Sequence, residues 1–261
     1  MRKKYEELFG DFLKKFEVFL QEAVRGQTHL HSMIHYSLFP GGKRFRPLLV
    51  YSAAFPVEDR RVYAAAAAVE LAHNSSLVHD DLPEVDNSDF RRGKLSVHKK
   101  FGAAQAVMVG DALLAKAFEL AAQAGCEAVS ILARAMGENG VAGGQILDLK
   151  GASSLEELYH LYSLKTVSLI KASLLIGDSI AGRNREEMGR FGEELGYLFQ
   201  IVDDISDWQE GLQEPNVVSV VGKEKARQLA EQHYRKALQL SRELDSERLE
   251  FLTEFVYGKL R

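Results

Sequence analysis

The chain has 261 residues, 46% hydrophobic and 27% charged, which is the composition of a folded globular protein and excludes a disordered one. Lys and Arg number 33 against 37 Asp and Glu, and the resulting net charge of −4 removes the electrostatic case for a nucleic-acid partner. A single cysteine, Cys126, excludes an intramolecular disulfide and implies no oxidising compartment.

Taken in chain order, the pattern is helical almost throughout. The first seven residues mix charges and lack the apolar stretch of roughly 7–15 residues that a signal peptide needs. Leu8, Phe12, Phe16 and Leu20 then recur at helical spacing. Pro40-Gly41-Gly42 and Pro56 break the next segments. Five consecutive alanines, 64–68, ahead of Val69 and Leu71, suit a central helix packed closely on several sides. Pro83 ends that helix, and Gly151 and Pro215 end later ones. Glycine inside a helix costs about 1 kcal/mol against alanine, so Gly143-Gly144 marks a close backbone approach or a kink. Ser154 with Glu157 forms a capping box that predicts a helix over 155–163, and an apolar helix follows over 161–176. The run 217–221, Val-Val-Ser-Val-Val, is β-like but too isolated to pair. Leu249, Leu252, Phe255 and Val256 close the pattern. The most apolar runs, 62–71 and 169–176, contain Glu70 and Lys171 and fall short of the ~20 residues of a bilayer span, so stable membrane insertion is not expected. The expectation is one all-α domain, residues 1–261, in the cytoplasm.

Two acidic clusters carry the chemistry. The first is Asp80-Asp81-Leu82-Pro83-Glu84-Val85-Asp86, followed by Arg91-Arg92-Gly93; the second is Asp203-Asp204-Ile205-Ser206-Asp207. Asp203 and Asp207 are four apart and share a helix face, where like charges repel and demand neutralisation. Asp80 and Asp86 are six apart, and Pro83 lets the chain bend so that Asp86 curls back. Each cluster follows an apolar segment, which places carboxylates at the mouth of an apolar interior. Hard oxygen ligands without His or Cys suit Mg²⁺, which shares its shell with waters and substrate phosphates. Basic groups fit the same ligand: Lys43, Arg44 and Arg46 beside Gly41-Gly42, then Arg91-Arg92, and Lys165-Thr166 inside an apolar helix. His73 stands two helical turns before Asp80, and Gln200 one turn before Asp204.

Together these residues resemble the trans-isoprenyl diphosphate synthases (polyprenyl synthetases), in the bacterial short-chain farnesyl/geranylgeranyl branch. The ordered motifs are Gly41-Gly42-Lys43-Arg44-Phe45-Arg46-Pro47, the segment from Glu70 through Asp86, Arg91-Arg92-Gly93, Gly144-Gln145 with Asp148, Lys165-Thr166, and Phe199-Gln200 with Asp203 to Asp207. The resemblance implies the class I isoprenoid synthase fold, antiparallel helices around a deep central pocket, and a homodimer. It implies Mg²⁺ on Asp80, Asp86, Asp148, Asp203 and Asp207, supported by Asp81 and Asp204. Arg91, Lys165 and Gln200 would meet an allylic diphosphate, while Lys43, Arg46, His73 and Arg92 would hold isopentenyl diphosphate. In the implied reaction the allylic diphosphate ionises, the double bond of isopentenyl diphosphate attacks, and the departed diphosphate takes the final proton. The carbonyl near Lys165-Thr166 and the Gln200 amide oxygen would face the cation.

Farnesyl diphosphate is the expected product and geranylgeranyl diphosphate the alternative; Ser75, five residues before Asp80, leaves room for the growing chain. Two departures from the family pattern stand out. Segment 208–216 has no lysine where similar enzymes usually carry two on a longer loop, and Val167 replaces a common glycine after Lys-Thr. The missing lysines leave a weakly active or non-catalytic binding subunit as a further alternative.

Overall fold

A computed structural model describes residues 1–39, 41–209 and 215–260. Pro40, expected to break a helix, and most of the lysine-free segment, 210–214, lie outside the described residues.

The helices are α1 (Arg2–Ala23), α2 (His29–Leu38), α3 (Phe45–Ala54), α4 (Arg60–Asp80), α5 (Val97–Phe101), α6 (Ala103–Ala124), α7 (Cys126–Met136), α8 (Val141–Lys150), α9 (Leu155–Tyr162), α10 (Ser168–Ile180), α11 (Glu186–Asp207), α12 (Val217–Val221), α13 (Lys223–Glu243) and α14 (Glu247–Tyr257). Local chemistry starts several of them. Thr28, Asp59, Ser154, Asn216 and Ser246 each accept a backbone N–H at the N-cap, and Ser154 with Glu157 completes the anticipated capping box. Among the described residues no helix is long and apolar enough to cross a membrane.

Helix α4 is the centre of the molecule. Its alanines 64–68 are fully buried, and α1, α2, α3, α6, α7 and α10 all pack against it. Small side chains let those axes come close, and burial, not propensity alone, stabilises the helix. Its C-terminal end, Asp80, is thereby held rigidly at one edge of the core.

Two local outcomes differ from the expectation. The valine run 217–221 folds as the short helix α12, capped by Asn216 and stopped at Gly222 with φ 80°. Val217 and Val218 are buried and no described strand edge lies beside them, so tertiary packing overrides β preference. The only strands among the described residues are β1 (Phe90–Arg91) and β2 (Lys94–Leu95), a hairpin turned by Arg92 and Gly93, both with positive φ. The Arg-Arg-Gly run thus forms a tight turn that sends its two guanidinium groups to different partners.

The basic run before α3 also divides. Arg44 is buried, with a left-handed backbone at φ 52°; it donates to Glu17 at 2.7 Å, to the buried Glu70 at 2.7 Å and to the Leu38 carbonyl at 3.2 Å. Lys43 is exposed and Arg46 is turned inward. Arg44 is therefore a structural cation tying α1 and α4 to the start of α3. Removing it strands the buried Glu70 carboxylate, so Arg44→Met should cost about 3–5 kcal/mol, against within about 0.5 for the exposed Lys43→Met. Urea unfolding midpoints at unchanged m-value check both.

Candidate functional site

Three helices end at the same mouth bearing carboxylates: Asp80 on α4, Asp148 in the last turn of α8, and Asp203, Asp204 and Asp207 at the end of α11. The negative end of a helix dipole disfavours a carboxylate and favours a cation, so convergence of three such ends creates strong demand for positive charge. Beyond α4 the chain turns as Pro83 requires: the Asp86 N–H donates to the Asp80 carbonyl at 2.9 Å, bringing the two acids of the first cluster together. Burial pushes the Asp80 carboxyl up to about 6; Asp86 and Asp148 push the same way, while Lys165 and Arg91 oppose them.

The chain's own cations meet much of that demand. Lys165 donates to Asp148 and lies close enough to Asp80 and Asp86 to feel both. Arg91 grips the buried Asp81, its Nε 3.0 Å from Oδ1. Lys259, in the 3₁₀ turn Gly258–Leu260 after α14, donates to Asp203 at 2.6 Å. Asp204 is buried and is satisfied differently: it accepts from the Tyr162 hydroxyl, from Gln200 Nε2 at 2.7 Å and from the Val217 N–H at 2.7 Å. Asn216 donates to the Asp204 carbonyl at 3.1 Å, so the return of segment 208–216 is anchored at the same residue. Gln200 in turn accepts from Thr166 Oγ1 at 2.6 Å. Its amide is held in one orientation by partners on both sides. Asp81 and Asp204 therefore spend their oxygens on protein groups in this conformation, whereas Asp207 is exposed. Asp148, Lys165, Gln200, Asp203, Asp204 and Asp207 line one cavity of about 200 Å³.

A second cavity of about 250 Å³ adjoins it and is basic, lined by Lys43, Arg46, His73, Arg92 and Lys259. Burial pulls the Arg46 guanidinium down to about 10 in spite of Glu70 and Asp203, and its Nε has no partner. A buried, unpaired guanidinium N–H is costly unless an anion arrives. Arg92 donates to Asn74 at 3.3 Å, and Gly42 leaves it space, since a Cβ there would come within 3.1 Å of its Nη2. Burial, then Arg46, Arg92 and Arg91, hold the His73 imidazole well below its ordinary value, so it is neutral near pH 7. A larger cavity of about 610 Å³ beside α1 and α2, lined by His31 and His35, contains none of these residues.

Glycine sets the depth of Lys165. The segments expected as two helices, 155–163 and 161–176, form one path through α9, a π-turn (Ser163–Val167) and α10, and the π-turn holds Lys165 and Thr166. π-turns inside helices re-aim side chains and cluster at functional sites. A Cβ on Gly144 would lie 2.4 Å from the Lys165 backbone N, so only glycine lets α8 approach this turn. Val167, the departure from the family pattern, is accommodated by Gly196 of α11, where a Cβ would sit 2.9 Å from the Val167 Cα.

Of the residues anticipated at the site, Lys43, Arg46, His73, Arg92, Asp148, Lys165, Gln200, Asp203, Asp204 and Asp207 line the two cavities and Thr166 bonds Gln200, whereas Asp80 and Asp86 line neither cavity and stand within charge range of Lys165, and Asp81 pairs with Arg91 outside both. Missed by sequence reasoning were Tyr162, Asn216 and Lys259. Tyr162, within the predicted helix, carried no distinguishing signal, and Lys259 reaches Asp203 only because α14 and its terminal turn pack on α11.

Comparison with known proteins agrees with this architecture. The polyprenyl synthetase family model matches residues 27–249. The farnesyl diphosphate synthase of Micrococcus luteus is 38% identical over 229 residues, covering 81% of this chain and 77% of its own. Geranylgeranyl pyrophosphate synthase 12, chloroplastic, of Arabidopsis thaliana is 37% identical over 263 residues, covering 88% of this chain and 70% of its own. Among solved structures, an FPP/GFPP synthase from Zymomonas mobilis aligns with a TM-score of 0.90 at 30% identity, over 98% of this chain and 100% of that one. A Helicobacter pylori geranyltransferase complexed with magnesium and isoprenyl diphosphate aligns at 0.82 with 27% identity, over 97% of each chain. The chain belongs to the polyprenyl synthetase family, and within it to the short-chain prenyltransferases.

The Gly144 contact makes a specific demand on the site. Gly144→Ala should push the π-turn away from α8 and cost about 1–3 kcal/mol. A fall in melting temperature with a larger fall in kcat than in Gly189→Ala, a helical glycine whose added Cβ would come no nearer than 3.4 Å to a neighbouring side chain, checks that the contact positions Lys165.

Proposed function

We propose that the protein condenses isopentenyl diphosphate with an allylic diphosphate, dimethylallyl or geranyl, to give farnesyl diphosphate, as a Mg²⁺-dependent cytoplasmic homodimer. The observation that carries this reading is the pair of adjoining cavities of opposite character, one acidic with Lys165 and one basic with the unpaired Arg46. A chain binding a single diphosphate has no use for both.

The donor set fits Mg²⁺. It is all hard oxygen, it lies at helix C-termini, and ammonium groups already neutralise part of it. Among the described residues no three His, Cys, Asp or Glu side chains already form a cage, so waters and substrate phosphate oxygens would have to complete the shell. Asp80, Asp86, Asp148, Asp203 and Asp207 would hold it, with Asp81 and Asp204 acting as positioning residues. When bound, Mg²⁺ supplies stabilisation of the charge that grows on the departing diphosphate.

Lys165 and Arg91 add charge-assisted donors to that same diphosphate. Lys43, Arg46 and Arg92 hold isopentenyl diphosphate in the basic cavity, where neutral His73 offers a hydrogen bond and no charge. Gln200, fixed between Thr166 and Asp204, presents its amide at the boundary of the acidic cavity without freedom to rotate. The apolar ends of α4 and α11 keep water from an allylic cation. Geranylgeranyl diphosphate is the second reading for the product, favoured by the name of the Arabidopsis relative.

Two measurements test this. Mg²⁺ with inorganic pyrophosphate should raise the melting temperature, since both bind only the folded state, and Asp80→Ala should lower the condensation rate by about a thousandfold or more. An unchanged melting curve, or near-full activity in the variant, contradicts the assignment. Ser75 is buried on α4 below Asp80. Ser75→Phe should shorten the product, read by chain length after incubation with labelled isopentenyl diphosphate and each allylic primer.

A further inference from the structure

Lys94 on β2 reaches away from its hairpin to the end of α2. Its ammonium donates to the Phe39 carbonyl at 2.5 Å and to the Tyr36 carbonyl at 3.2 Å. Both carbonyls lie at the negative end of that helix, where an ammonium is favoured. The Tyr36 carbonyl has a particular need, because its helical partner four residues on would be residue 40, a proline without an N–H. The same ammonium lies 4.4 Å from the centre of the Tyr36 ring, and the Tyr36 hydroxyl donates to the Leu95 carbonyl at 2.8 Å. Two adjacent residues of β2 are thus latched to the last turn of α2 and its cap.

The latched ends lead directly into the two walls of the basic cavity. Past α2 the chain runs through Gly41-Gly42-Lys43 to Arg46, and on the hairpin Arg92 precedes Lys94 by two residues. Among the described residues, those lining the cavity include Gly42, Lys43, Arg46 and Arg92 but not Lys94. The two walls repel each other. Burial, then Arg44 and Arg91, lower the Arg92 guanidinium from its ordinary value against the pull of Glu70, and Arg92 acts in the same sense on Arg46. Against that repulsion the bond from Arg92 to Asn74, at 3.3 Å, is a weak tether. Lys94 holds the same two segments together through carbonyl oxygens. Arg91 is secured separately, by paired donors to Asp81, so the side of the hairpin that faces the acidic cluster does not depend on the latch.

We propose that Lys94 is a positioning residue for the basic cavity: it stands outside the diphosphate site, fixes the hairpin to the end of α2, and so sets the separation of Arg92 from Lys43 and Arg46 at which one diphosphate is gripped from both walls. This rests on the reading above that the basic cavity holds isopentenyl diphosphate. Its consequence is selective: loosening the latch weakens that substrate's binding and leaves the allylic substrate's alone.

The test is steady-state condensation with Mg²⁺, varying isopentenyl diphosphate at saturating geranyl diphosphate and then the reverse. Lys94→Met should raise KM for isopentenyl diphosphate about tenfold, keep KM for geranyl diphosphate within about twofold of native, and lower kcat by less than KM rises, the pattern of lost binding. Lys94→Arg, whose guanidinium also donates to two carbonyls and lies on an aromatic face, should bring that constant back to within about threefold of native. Tyr36→Phe removes the bond to Leu95 and keeps the ring; it should move the same constant in the same direction, and it decides the matter if the methionine variant does not fold. Lys100→Met removes another ammonium, 3.9 Å from the same ring, without touching the carbonyls, and should leave both constants unchanged. An unchanged KM for isopentenyl diphosphate in Lys94→Met, whatever its melting temperature, overturns the proposal. So do two constants that rise together, an arginine variant no better than the methionine one, or an equal rise in Lys100→Met. A native chain whose condensation shows no saturable dependence on isopentenyl diphosphate overturns the reading of the basic cavity itself.

Discussion

Like charges at the ends of buried helices are the constraint around which this molecule is organised. α4, α8 and α11 each finish in carboxylates, against the direction their dipoles favour, at the edge of a low-dielectric core. Such a cluster persists only if cations stand among it. Lys165, Arg91 and Lys259 supply them from the π-turn, the hairpin and the terminal turn, three elements far apart in the chain. The arrangement is tolerable without ligand and leaves Asp80 partly protonated near pH 6. Under the proposed function it is also the arrangement a metal–diphosphate complex would improve, since that complex brings charges of both signs to groups of both signs.

Backbone proximity sets the positions of those groups. Gly144 lets α8 touch the π-turn, Gly196 makes room for Val167, and the alanines of α4 let six helices close around it. Side chains at the mouth are therefore mounted on rigid elements, and the Tyr162–Asp204–Gln200–Thr166 chain of hydrogen bonds locks the orientation of the amide among them. Preorganisation of this kind is what an electrostatic mechanism requires, because donors that must reorient during reaction contribute less.

Much of this was legible in the residues. The helical period, the breaker positions after α2, α3 and α4, the capping box at Ser154, the return of Asp86 past Pro83 and the close approach at Gly144 all follow from rules that act within a few residues. The acidic and basic clusters were legible as groups suited to metal and phosphate because residue type and spacing constrain chemistry directly. The hairpin at Arg92-Gly93 was within reach of the same rules, through two consecutive residues able to take positive φ, but its strands are too short to leave an alternating pattern.

What each acidic or basic residue does within its cluster was decided in three dimensions. Sequence neighbours separated: Arg44 became a buried strut while Lys43 and Arg46 lined a cavity, and Asp203 paired with Lys259 while Asp204 became the anchor for Gln200 and Asn216. The valine run turned helical because no sheet edge was there to receive it and the core was. By itself the sequence determined an all-helical chain with carboxylates and cations in the order of its family, since periodicity and local spacing depend only on near neighbours. Only the tertiary structure decided which charges meet, because burial and pairing depend on residues such as Lys259 and Asp203 that lie 56 positions apart and come together through the packing of whole helices.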